Sequence, residues 1–150
     1  MNEQEFAKPA IIVAIAIIYQ DDRYLMQLRD NDPKIIHPGV WGLFGGHLDP
    51  GEKPEAGLKR ELKEEINYPV AQLNKFGCYA DPRIIRHVFS CPLVVNIEEL
   101  ELNEGWDMGL LTFDQIQQGY AYSPKAGSRP LGDIHRQIML DFIKLQRSHS

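Results

Sequence analysis

The stretch Gly45–Tyr68, GGHLDPGEKPEAGLKRELKEEINY, constrains this chain more than any other. Its second half reads as a helix that opens at Pro54, a residue suited to the first helical position. Each residue turns the helix by about 100°, so Glu61, Glu64 and Glu65 stand at i, i+3 and i+4 and share one face. Leu58, Leu62 and Ile66 make an apolar stripe beside them that must dock on another layer. Three carboxylates on one stripe repel one another unless a cation lies between them. Hard divalent cations such as Mg²⁺ take oxygen ligands and suit such a site.

Local chemistry marks three oddities in this helix. Lys53 sits where Ser or Thr would cap the first turn, so the start must be held some other way. Glu55 adds favourable charge there. Gly57 costs about 1 kcal/mol relative to Ala inside a helix. It lies one turn before Glu61, and either leaves room for phosphates or allows close packing against a neighbouring strand. Asn67 tolerates the left-handed conformation that ends helices, and Pro69 prevents continuation. Lys59 and Lys63 lie on the solvated side.

The remainder alternates strand and helix signals. Ile11–Tyr19 is continuously apolar and β-branched, a strand buried on both faces. Its run is too short to span a bilayer. Glu3 and Glu5 precede it against a single Lys8, and no small-residue cleavage site follows, so it does not read as a secretory signal. A turn over residues 20–23 leads to a second strand, Tyr24–Leu28. Residues 30–39 form a loop, and Trp41–Phe44 a short strand before a Gly45-Gly46 turn. Beyond the helix, Lys75–Ala80 predicts a strand. Ile84–Phe89 and Leu93–Ile97 read as one long strand or two. Trp106–Phe113 predicts another strand and Phe113–Gln118 a helical turn. Gly119–Gly132 reads as a loop long enough to line a pocket. Asp133 caps a last helix to about Gln146, with Ile134, Ile138, Phe142 and Leu145 inward. The pattern predicts one α/β (α+β) domain over residues 1–150, with residues 1–8 loosely ordered.

The 150 residues carry 16 Lys and Arg against 21 Asp and Glu, a net charge of −5. That balance excludes broad nucleic-acid or anionic-membrane binding, which wants a basic face. Cys78 and Cys91 are too few for a Cys-only zinc site and read as two reduced, half-buried thiols, in keeping with a cytoplasmic location.

Gly46, Glu52, Arg60, Glu61, Glu64 and Glu65 follow one another at a spacing that resembles the Nudix box of the Nudix hydrolases, with Asn67 in place of the usual glycine. The resemblance implies the Nudix fold, a mixed sheet sandwiched between helices. It implies a hydrolase that cleaves the diphosphate linkage of a nucleoside diphosphate joined to another group, such as a nucleoside triphosphate, ADP-ribose or a nucleotide sugar. Mg²⁺ or Mn²⁺ would serve as cofactor, with more than one ion when substrate is bound. Glu61, Glu64 and Glu65 would be metal ligands, one of them a general base, joined by the carbonyl of Gly45. Glu52 and Arg60 would lock the loop to the helix, so Glu64, Glu61, Arg60 and Glu52 form the catalytic set. Relatives recruit a further carboxylate from outside the box. Among Glu98, Glu99, Glu101, Glu104 and Asp107, Glu104 is favoured because it precedes an expected strand beside a flexible glycine. For substrate, Arg29 is the best placed of Arg29, Arg83 and Arg86, with Gly46 and His47 in the box loop. Phe44, Trp41 and Tyr24 are stacking candidates against a competing role in the core. His37, His47 and His87 lack the spacing of metal ligands. The resemblance also admits a homodimer. The competing function is a Nudix-like sensor that binds a nucleotide without cleaving it; the complete set of box carboxylates argues against it. Neither loop, 30–39 or 119–132, reveals the base or leaving group.

Overall fold

The computed structural model describes residues 11–34 and 38–149. The loosely ordered start expected over residues 1–8, and His37, lie outside the described residues.

Strand β1 (Ile11–Gln20) is the axis of the fold. Side chains alternate across a strand, and each face of β1 enters a different core. Ile15 and Ile17 join one core, and Ala14, Ala16 and Ile18 the other. This accounts for its unbroken apolar sequence. β2 (Arg23–Leu28) returns antiparallel through a turn in which Asp21 takes a positive φ of 55°. β3 (Trp41–Gly42) pairs with β2, and β4 (Phe44–His47) pairs antiparallel with β1. β5 (Asn74–Ala80) and β6 (Ile84–Pro92) form a hairpin, and β6 runs parallel to β1. β7 (Asp107–Thr112) joins β2. Among the described residues these seven strands form one mixed sheet, with β3-β2-β1-β6-β5 as its main order.

Helices cover both faces. α1 (Pro54–Ile66) places Leu58, Leu62 and Ile66 against Ala14, Ala16, Ile18, Leu25 and Phe44. α2 (Phe113–Gln118) and α3 (Asp133–Ser148) cover the opposite face through Ile116, Ile138, Met139, Phe142 and Ile143. The sheet is therefore an α/β sandwich, as expected.

Several local expectations need correction. Gly45-Gly46 is not a turn. Both residues lie within β4, opposite Ile15 and Ala14. Gly45 has φ +150°, and a Cβ there would stand 2.1 Å from the Ala14 carbonyl oxygen, so the pair lets two backbones approach closely. β6 ends at Pro92, and the following residues lead to a 3₁₀ turn at Ile97–Glu99 rather than a second strand. The expected loop 119–132 is mostly a hairpin of β8 (Tyr120–Ser123) and β9 (Gly127–Pro130). Gly132 occupies the cap position of α3 and Asp133 its first turn. On that helix Met139 and Ile143 are buried, whereas Leu145 is exposed. Cys91 is fully buried, which pushes its thiol up to about 11, and Cys78 is exposed, so the thiols are not alike. Among the described residues no helix is long and apolar enough to cross a membrane.

Leu62 is fully buried beneath the carboxylate-bearing helix. Leu62→Ala is expected to lower unfolding free energy by about 2–5 kcal/mol in a urea titration, through lost burial and the cavity left behind.

Candidate active site

The start of α1 is held by its loop and not by Lys53, whose side chain makes no cap bond. The Asp49 amide donates to Glu52 Oε1 at 2.9 Å, and the Glu52 amide donates to the Asp49 carbonyl at 2.9 Å. Arg60 then grips Glu52 with two parallel bonds, Nε to Oε2 and the second guanidinium nitrogen to Oε1, both 2.9 Å. Such a fork fits carboxylate geometry and fixes orientation as well as distance. Hydrogen bonds from Arg60, then from the Asp49 amide, hold the Glu52 carboxyl down at about 2. In return the Glu52 hydrogen bond, foremost, keeps Arg60 still more firmly protonated than a free arginine. Gly57 faces this loop: a Cβ would meet Leu48 Cδ2 at 2.4 Å and Glu52 Oε1 at 2.9 Å. Its missing side chain admits the box loop, and the alternative of room for phosphates is withdrawn.

Arg60 continues from the loop to the carboxylates. Its remaining nitrogen donates to Glu61 Oε1 at 3.0 Å and to Glu64 Oε2 at 3.4 Å. The three glutamates, equivalent on a helical wheel, become unlike in the fold. Glu65 is only 5% exposed, while the side chains of Glu61 and Glu64 are 17% and 60% exposed. Burial, foremost, then a hydrogen bond with Glu61 and the charges of Glu61 and Glu104, hold Glu65 well above the usual carboxylate range. The Gly45 amide opposes this by donating to it. Two carboxylates in contact share a proton or need a cation. Glu61 can reach this position because Gly46 has no side chain: a Cβ there would stand 2.5 Å from the Glu61 carboxyl carbon.

Glu61, Glu65 and Glu104 line one cleft of about 350 Å³ with Gln27, Arg29, Gly45, Gly46 and His47. A second lobe of about 210 Å³ shares Gln27, Arg29, Gly45, Gly46 and His47. It continues over Ile11, Val13, Ile15 and Ile84 towards Arg86 and His135. The Arg29 Nε is buried at the junction and has no hydrogen-bond partner. Arg86 is paired with Asp81 at 3.3 Å, and Arg83 is exposed. His87 lines a different cleft beside Leu48 and Pro54, and burial with a smaller effect of Lys75 lowers its pKa. Phe44 is wholly buried in the core under α1, which withdraws it as a substrate contact. Trp41 and Tyr24 are likewise buried, and the Trp41 indole donates to the Ala121 carbonyl. Asp107 accepts from the buried Ser123 hydroxyl at 2.6 Å and serves the β7–β8 junction.

Sequence reasoning missed Gln27, which lines both lobes. A polar residue inside the apolar strand RYLMQL was the available signal.

The donor chemistry fits a hard cation. The acidic side chains that line the cleft with Glu65, Glu61 and Glu104 among them, offer carboxylate oxygen, and the Glu61–Glu65 contact is the like-charge pair that a cation relieves. Among the described residues no three His, Cys, Asp or Glu side chains are already arranged to hold a metal ion. Glu64 is instead drawn to Arg60.

The NUDIX domain family matches residues 8–130, and the chain belongs to that family. Among characterised relatives it is similar to the nucleoside triphosphatase NudI of Salmonella agona (strain SL483), 39% identical over 49 residues. That match spans 33% of this chain and 35% of the relative. The chain is similar in fold to a MutT protein from Methanosarcina mazei Go1, with a TM-score of 0.70 and 20% identity, covering 93% of this chain and 96% of that one. The NUDIX domain of Shewanella oneidensis NrtR, solved in complex with ADP ribose, matches with a TM-score of 0.70 and 17% identity. That match covers 97% of this chain and 99% of the domain.

A depressed carboxyl contributes stability above its unfolded value, and that contribution is lost as pH falls through the folded one. For Glu52 the window runs from 4.5 down to about 2. Glu52→Gln is expected to flatten the acid limb of a stability–pH curve in that window, measured by chemical unfolding.

Proposed function

We propose that this protein is a divalent-metal-dependent pyrophosphohydrolase acting on a nucleoside diphosphate linked to another group. The observation that carries the reading is one cleft with an apposed carboxylate pair, Glu65 buried and Glu61 half-buried, on one wall and an unpartnered arginine nitrogen at its junction with a second lobe. Family membership and the nucleoside triphosphatase named among its relatives support the same chemistry.

Glu61, Glu65 and Glu104 would hold Mg²⁺ or Mn²⁺, with the Gly45 backbone beside them and Glu64 turning inward from Arg60. The ion would polarise phosphoryl oxygens and lower the pKa of bound water. The chain itself supplies placement. Arg60 and Glu52 keep α1 in register with the box loop, so the carboxylates keep their spacing. Arg29 donates to a phosphate oxygen that satisfies its buried Nε, and a charge-assisted bond of this kind is short and strong. Gly46 and His47 line the path between the lobes, and the nucleoside or leaving group lies over the β1 and β6 side chains of the second lobe. Glu64, the most exposed of the three, accepts a proton from the attacking water.

A panel of nucleoside triphosphates, ADP-ribose, dinucleoside polyphosphates and nucleotide sugars, assayed with Mg²⁺ and with excess chelator, tests the reading. Metal-dependent release of a nucleoside monophosphate, with pyrophosphate or the phosphorylated leaving group as the other product, is expected. Binding across the panel without cleavage would instead identify a sensor. Glu64→Gln is expected to reduce turnover by about 10²–10⁴-fold, as for loss of a general base, with unfolding unchanged; near-normal turnover refutes its role. Arg29→Ala is expected to raise KM about tenfold or more, since a hydrogen bond to a charged group contributes roughly 1.5–3 kcal/mol.

A further inference from the structure

The last turn of α1 leaves carbonyls without helical partners, because their fourth neighbours lie beyond the helix. All three at Glu64, Glu65 and Ile66 are satisfied from one distant segment. The Asn103 side-chain amide donates to the Glu64 carbonyl at 2.9 Å. The Asn103 backbone amide donates to the Glu65 carbonyl at 2.9 Å, and the Glu101 amide to the Ile66 carbonyl at 3.2 Å. On the other side of Glu104 the Trp106 amide donates to the Leu28 carbonyl of β2 at 2.8 Å. Between these anchors Gly105 takes φ +103°. Leu100, buried in the core under α1, roots the segment.

Residues 101–106 therefore form a strap tied to the carboxylate helix at one end and to the sheet at the other, with Glu104 between the ties. We propose that Asn103 is a positioning residue: its paired bonds to the Glu64 and Glu65 carbonyls hold the Glu104 carboxylate at the metal site. The proposal rests on the reading of Glu104 as a ligand. Asn103 is exposed, so its two bonds act by geometry more than by burial. Glu104 nonetheless lines the same cleft as Glu61 and Glu65. Two backbone bonds tie the strap to the Glu65 and Ile66 carbonyls, and the side-chain bond to Glu64 extends the tie one residue further along the same helix turn, next to Glu104. Partners of this kind, which orient a ligand without touching the ion, commonly change affinity by 10–100-fold when removed.

The test uses Mn²⁺ alone, titrated into the full chain by calorimetry, for the wild type, Asn103→Ala, Glu104→Gln and the double variant, with metal-free thermal unfolding alongside. Asn103→Ala is expected to weaken Mn²⁺ binding about tenfold. In the Glu104→Gln background the same change is expected to have no further effect, since both act on one ligand. A purely structural role predicts a lower unfolding temperature with unchanged affinity. That result, or an equal loss of affinity in both backgrounds, overturns the proposal while leaving Glu104 as a ligand. Unchanged affinity in Glu104→Gln, or no Mn²⁺ binding by the wild type, overturns the ligand reading itself and this proposal with it. If Asn103→Ala does not fold, Asn103→Ser keeps the backbone bond to Glu65 and reads the same coupling.

Discussion

The site depends on the close approach of α1 to β4, with Glu61 standing where Gly46 has no side chain. A single methyl group on Gly46 would meet the Glu61 carboxyl group. Glu61 in turn touches both Arg60 and Glu65. Through Arg60 it is joined to Glu52 and the box loop, and through Glu65 to the buried wall of the cleft. The charge pattern follows from this contact. Arg60 neutralises the loop side and grips one oxygen of Glu61, while burial beside Glu61 holds Glu65 towards its protonated form, the like-charge conflict that a cation would relieve.

A second level of organisation comes from the sheet. β1 serves two cores, and its antiparallel neighbour β4 carries Gly45 and Gly46 to the floor of the cleft. β2 carries Gln27, and Arg29 just past its end, to the same place, and the strap before β7 brings Glu104. Acidic and basic groups therefore arrive from separate elements: carboxylates from the helix and strap, arginine from the end of a strand. An arrangement of this type sets a cation-seeking wall opposite a hydrogen-bond donor, the local chemistry that a chain with net charge −5 would need to take up a polyanionic group.

Much of the fold was readable from pattern. The apolar run of β1, the Pro54 start and Asn67 stop of α1, and the strand–helix succession at Asp107–Gln118 all follow from local propensity and periodicity. The misreadings share a cause. Gly45-Gly46 resembled a turn because glycine is locally permissive, yet it lies in a strand because β1 needs a neighbour without side chains there. The segment 119–132 resembled a loop because its strands are short and polar, and pairing between them decides its form. Phe44 offered a ring at the edge of the box, but alternation along β4 turns it into the core.

The sequence by itself determined the chemistry on offer: which carboxylates share a helix, which arginine can fork onto Glu52, and which family the box resembles. The first follows from helical spacing, while the Glu52–Arg60 pair rests on the resemblance to the box. Only the tertiary structure made Glu61, Glu64 and Glu65 unlike, by burying one, bridging another to Arg60 and leaving the third exposed. It alone brought Arg29 and Glu104 to the same cleft, and Asn103 to the end of α1 across 39 positions of sequence. The reason is physical. Spacing along a chain sets direction within one element, whereas burial, charge and pairing depend on what the other elements place beside it.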